Sequence, residues 1–119
     1  MKGVEIYQET AVTTQSSGRV VVLLYEGAIK FLKMALREME SNNPEGKGVY
    51  ITKALDIIYE LNTVLDMKAG GEIAQNLRSM YMFMIRHLTK ANLKQDANRV
   101  NEVIGLLEEL NEGWRAIAL

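Results

Sequence analysis

The chain has 119 residues, 48% of them apolar, with a formal net charge of −1 and no cysteine. That length suits one domain, and that apolar share fills one hydrophobic core. Scattered, nearly balanced charge excludes the electrostatic footprint of a nucleic-acid or anionic-membrane binder, and the missing thiols exclude disulfide frameworks, thiol nucleophiles and cysteine-bound zinc.

At the N-terminus Lys2 is followed by Gly3, Val4 and Glu5 with no apolar run, so no secretory signal is expected. The longest apolar runs, Val20 to Tyr25 and Met80 to Ile85, fall far short of the roughly 18 residues of a membrane span. A cytosolic protein without a membrane partner is the expectation. Residues 1–15 read as an arm, because Thr10, Val12, Thr13 and Thr14 are β-branched and favour an extended path. Ser16 or Ser17 then caps a first helix that runs to about Glu40. Ser41 to Gly46 form a turn in which Asn43 caps the second helix and Pro44 takes its first position.

The second helix carries Ile51, Ala54, Ile58, Leu61 and Leu65 at spacings of three and four, a stripe on one helical face. Gly70 and Gly71 are expected to close it. A third helix follows from about Glu72 to Asn92, with Ile73, Leu77, Met80, Met84, Leu88 and Ala91 turned inward. Asp96 caps the fourth, whose Val100, Val103, Leu107, Leu110, Trp114 and Ile117 keep the same alternation. Short links between helices of this length predict an all-α fold, an antiparallel up-down-up-down four-helix bundle over residues 16–119, with an extended or partly helical arm over residues 1–15.

Chemistry is hard to place on this scaffold. A di-iron bundle needs Glu-x-x-His pairs on two helices, and this chain has one histidine, His87, with Met84 three residues before it. No Gly-x-Ser-x-Gly elbow exists to present a serine to that histidine. The arginines lie mostly off the apolar stripes and read as a solvated face. No enzyme, cofactor or metal is expected.

The apolar content, by contrast, exceeds what a bundle needs. At roughly 100° per residue, six consecutive apolar residues surround a helix, so Val20 to Tyr25 and Met80 to Ile85 must each point some side chains outward. The arm, a second copy of the chain or a foreign partner could cover them. An arm carrying Ile6, Tyr7 and Val12 can lie in a groove and be displaced by an amphipathic helix.

Three blocks of residues carry a resemblance. Tyr7, Gln8, Val12, Thr14 and Ser16 lead into Leu24, Tyr25, Glu26, Gly27, Ala28, Lys30, Phe31 and Leu32. Gly70 to Ala74, Asn76, Leu77, Tyr81, Met84 to Arg86, Leu88, Ala91 to Leu93 and Asp96 form the second block. Glu102, Val103, Gly105 to Leu107, Leu110 and Trp114 form the third. In order and spacing they resemble the flagellin export chaperones, the FliS family, over nearly the whole chain. Ser17 and Gln15 depart from it, standing where many members have proline and a small residue.

The resemblance implies a cytoplasmic chaperone that binds the C-terminal helical segment of flagellin, prevents its premature polymerisation and delivers it to the flagellar type III export apparatus. Under that reading Ile6, Tyr7 and Val12 are candidates for a displaceable cap, and Tyr25, Leu61, Leu65, Ile73, Leu77, Tyr81 and Met84 are candidates for groove or wall positions, with plain core as the alternative for each of these seven. A component of the export gate is a further candidate partner. The alternative is a self-associating structural bundle, whose surplus apolar surface is a homodimer interface.

Overall fold

The computed structural model describes the backbone of residues 9–118 and the side chains of residues 18–117. Its elements are four helices, α1 (Glu9–Glu40), α2 (Pro44–Thr63), α3 (Met67–Lys94) and α4 (Ala97–Ala118). α1 packs on α2 and α4, α3 packs on the same two, and the diagonal pairs do not approach through their backbones. The result is a ring of antiparallel neighbours around one core, the bundle that the periodicity predicts.

The predicted stripes supply that core. Ile51, Ala54 and Ile58 from α2, Met84, Leu88 and Ala91 from α3, and Val100, Val103 and Leu107 from α4 are fully buried, and α1 adds Ala28, Leu32 and Ala35. Lys47 is buried as well, but its stem packs inward while Nζ donates to the Asn92 carbonyl oxygen at 2.7 Å. A cation at the carbonyl end of α3 is favoured by the helix dipole, and it ties the start of α2 to the end of α3.

Two expected helix boundaries are corrected. α1 starts at Glu9, so the backbone at Thr10 to Gln15 is helical and neither Ser16 nor Ser17 is a cap. Extending an existing helix through a β-branched residue costs only tenths of a kcal/mol, about 0.7 at most. Secondly, Gly70 and Gly71 do not end α2, which stops at Thr63. Asp66 opens α3 instead, its Oδ1 accepting from the Lys68 and Ala69 amides at 3.2 and 2.9 Å. Gly71 then breaks α3 from within, at φ 52° and ψ −128°. Leu65, expected on α2, lies in the link.

The other two caps are where the sequence puts them. Asp96 accepts from the Asn98 and Arg99 amides at the head of α4, and Arg99 Nε donates to its Oδ2 at 2.9 Å. Partial desolvation pushes the Asp96 carboxyl up, but the hydrogen bonds and charge of Arg99, with the Asn98 amide, outweigh it and hold the group below its ordinary range. At the head of α2, Asn43 Oδ1 accepts from the Gly46 amide at 3.2 Å, with Pro44 in the first turn. Asn43 Nδ2 also donates to Glu38 Oε1 at 2.7 Å, pinning the end of α1 to the start of α2. Asn43→Ala loses both bonds, and urea unfolding is expected to show a loss of about 1 kcal/mol.

Candidate partner-binding groove

One end of the bundle combines an internal polar bridge with an open apolar surface. Tyr25 of α1 and Tyr81 of α3 are almost wholly buried, and their hydroxyl oxygens lie 2.6 Å apart in a shared hydrogen bond. Because α1 and α3 are diagonal partners, this contact crosses the bundle axis. Trp114 of α4 leans on the same group, its ring 6.4 Å from that of Tyr25 and tilted by 49°. Burial is the largest cause raising both phenols above the ordinary tyrosine range. The hydrogen bond to Tyr81 and the nearby Trp114 indole pull Tyr25 partly back, whereas the neighbouring Tyr25 pushes Tyr81 further up. Both hydroxyls therefore stay protonated and can serve each other as donor and acceptor.

Outside this bridge, the start of α3 and the end of α4 form an open groove of about 230 Å³ lined by Ile73, Leu77, Leu110, Gly113, Trp114 and Ile117. Its lips are Ile73 and Ile117, which are 71% and 78% exposed. Leu77 and Trp114 form its floor and are packed against the core, so the floor is anchored while the lips stand free. The break at Gly71 positions one lip, since the regular part of α3 begins there and Ile73 falls on its first turn. The lining is hydrocarbon and indole, and it can take apolar side chains but offers no catalytic group.

The ten residues singled out from the sequence divide into distinct groups. Ile73 and Leu77 meet in the groove. Tyr25 and Tyr81 stand behind it as the bridge, while Leu61 and Met84 are plain core, 2% and 0% exposed. None of these four offers free surface. Leu65, in the link, is half-buried against the core. Val12 falls on the helical backbone of α1 with its side chain outside the described residues, and Ile6 and Tyr7 lie outside them altogether. Leu110, Gly113, Trp114 and Ile117 were not singled out, although all but Gly113 belong to the α4 stripe. The usable signal is the α4 stripe itself, which carries Leu110, Trp114 and Ile117 on one helical face.

The two surplus apolar runs do point outward in part. Val20 and Leu23 of the first are 49% and 64% exposed, and Met82 and Phe83 of the second are 36% and 40% exposed. His87 lies beside Phe83, with ring centroids 4.7 Å apart, and pairs with Glu102 of α4. Among the described residues no helix is long and apolar enough to cross a membrane, and no cluster of three or more His, Cys, Asp or Glu is placed to hold a metal ion.

Comparison with known proteins agrees over the full length. The family model described as flagellar protein FliS matches residues 1–119. The chain is 36% identical to the flagellar secretion chaperone FliS of Escherichia coli over 119 residues, covering 96% of this chain and 88% of that one. It is 38% identical to the protein of that name from Salmonella typhimurium, over 96% and 85% of the two chains. For the Bacillus subtilis protein the identity is 33%, over 92% and 80%.

The tyrosine bridge gives a pH dependence with a definite sign. Below about pH 10 the phenols are protonated in both the folded and unfolded chain. Above it the unfolded chain gives up these protons first, so stability falls as pH rises. Phenolate absorbance is expected to show two tyrosines ionising only with unfolding, a late step absent from Y25F/Y81F. At neutral pH, Tyr81→Phe is expected to cost about 1–3 kcal/mol by stranding the Tyr25 hydroxyl, and the double variant less than the sum of the singles.

Proposed function

This chain belongs to the flagellar protein FliS family, whose curated members are flagellar secretion chaperones, and from that premise we propose that it receives the C-terminal helical segment of flagellin in the groove between α3 and α4. It is a chaperone rather than an enzyme. In this reading it works in the cytosol, keeps the flagellin segment from polymerising prematurely and hands it to the export apparatus.

The observation that supports the groove as the point of contact is the pairing of Ile73 and Ile117, two large aliphatic side chains that flank Trp114 and are mostly exposed. An amphipathic segment that is disordered when free can fold its apolar stripe against such a surface. Ordering that segment costs conformational entropy, which moderates the affinity and allows release. The groove alone is small, so a longer client would extend beyond it onto other exposed apolar residues, of which Val20 and Leu23 of α1 are two.

Trp114 is the only tryptophan of the chain, so the groove carries its own reporter. Titration with a peptide of the host flagellin's C-terminal segment is expected to change Trp114 emission, and calorimetry to show a negative heat-capacity change. Because Ile73 and Ile117 are exposed, I73E and I117E should keep the circular dichroism and melting temperature of the parent. Each should weaken binding by about 10-fold or more, the loss of a buried aliphatic contact of about 1.5–3 kcal/mol. Unchanged affinity in both variants would move the contact elsewhere, and a tight dimer indifferent to the peptide would make the groove a self-association surface.

A further inference from the structure

The proposed groove leaves one face of α3 unexplained. Arg78, Met82, Arg86, Lys90 and Lys94 follow one another at intervals of four, forming a single ridge of the helix, and all five are exposed. No carboxylate interrupts the row, and among the described residues none of its four cations is in an ion pair. Like charges four residues apart on a helix repel one another. Lys94 is compensated by the carbonyl end of α3, where cations are favoured. Arg86 and Lys90 repel each other without such compensation, and Arg78, two turns before Arg86, is also without a carboxylate partner among the described residues.

The two arginines also share a concavity of about 370 Å³, lined with Met67, Gln75, Ser79 and Met82. Met82 lies between them and is 36% exposed, an adaptable apolar contact flanked by two rigid, planar donors. The helices on either side carry the opposite charge, with Asp56 and Glu60 exposed on α2 and Glu102 and Glu109 exposed on α4. A broad anionic surface, whether membrane or nucleic acid, would extend past this single row toward the two neighbouring helices that carry those carboxylates. A single helix lying along the row would meet Arg78, Met82, Arg86 and Lys90.

We infer that the row Arg78, Met82, Arg86 is a docking site for an acidic amphipathic helix of a partner protein, one that presents carboxylate, apolar and carboxylate side chains at positions i, i+4 and i+8. The arginines are eight residues apart, which is about 12 Å along the axis, and the same spacing on the partner brings each carboxylate to a guanidinium fork. Lys90 extends the positive row by one more turn. Met82 is nine residues from Ile73, about 180° around the helix, so this face and the groove can be occupied at the same time. The inference goes beyond the flagellin reading, and only its cellular arm rests on that reading.

Two measurements test it on the full chain. The probe is a synthetic helical peptide of about four turns with Glu, Leu and Glu at i, i+4 and i+8, set against a peptide of the same composition with the glutamates out of register. Amide shift changes are expected at Arg78, Met82, Arg86 and Lys90, with the matched peptide at least about 10-fold tighter, weakening with salt and lost in R78E/R86E. Equal affinity for the two peptides, or shifts confined to Ile73 and Trp114, would overturn the proposal. Binding of anionic vesicles or duplex RNA to this face, without preference for the matched peptide, would also overturn it. In cells, R78E/R86E is expected to lose swimming while the purified variant keeps its melting temperature and its affinity for the flagellin peptide. Normal swimming overturns the inference, whereas failure of the parent chain to bind flagellin overturns the earlier reading instead.

Discussion

The hydrogen bond between Tyr25 and Tyr81 is the constraint on which the rest of the molecule depends. A ring of four helices is held by contacts between neighbours, and such contacts alone leave the diagonals free to slip in register. Here the α1 to α3 diagonal is spanned by two phenols whose hydroxyls have no water to turn to. Moving either helix by one turn along its axis, about 5.4 Å, would strand both groups in an apolar interior. The bridge thus fixes the relative height of α1 and α3. Because Trp114 packs on Tyr25, it also fixes where α4 ends relative to them. The groove is the outer side of that arrangement, with Trp114 belonging to both the core and the surface.

How far the sequence reveals this depends on whether the signal is local. The stripes through Ile51 to Leu61 and Val100 to Leu107 announce themselves, because burial on one side of a helix forces a three-four period on the chain. The caps at Asn43 and Asp96 are legible for the same reason, since the side chain and the amides it serves lie within three residues. Asp66 is chemically the same signal, yet the Ile51 to Leu65 stripe runs up to it and the paired glycines beyond draw the boundary away. Whether a stripe residue is core or groove was not legible. Ile73 and Met84 occupy equivalent places in the α3 pattern, but one is 71% exposed and the other fully buried. The difference lies in where along the bundle each residue stands, and that is set by the tyrosine bridge, a contact between residues 56 positions apart.

The two exposed faces of α3 use different physics. The groove beside Trp114 is apolar and shallow, so in the proposed reading its selectivity would rest on shape and on the period of a guest's apolar stripe. The ridge through Arg78 and Arg86 selects by charge and spacing, and is the more sensitive to ionic strength because its groups remain in water. One helix can carry both because its inner residues, Leu77, Tyr81, Met84, Ile85 and Leu88, already fix it in the core. The ridge is then free of the core, while the groove shares its floor residues Leu77 and Trp114 with it.

The start of α3 settles how freely the groove can open. Gly71 adopts φ 52° and ψ −128°, a conformation that an L side chain reaches only with strain, and an added Cβ there would meet nothing within 4 Å. Backbone conformation rather than space therefore requires glycine at that position. At Gly70 the reasoning reverses, since a Cβ would come within 2.6 Å of the Ala74 Cβ, and there it is close packing that requires glycine. The first residue lets the chain change direction and the second holds the short turn from Met67 down against the helix that follows. Ile73, two residues beyond the break, is accordingly carried by a helix whose N-terminal end is set by these two glycines, while Leu77 one turn later is anchored in the core. The groove is thus anchored at its floor by Leu77 and Trp114, while Ile73 and Ile117 stand free at its lips.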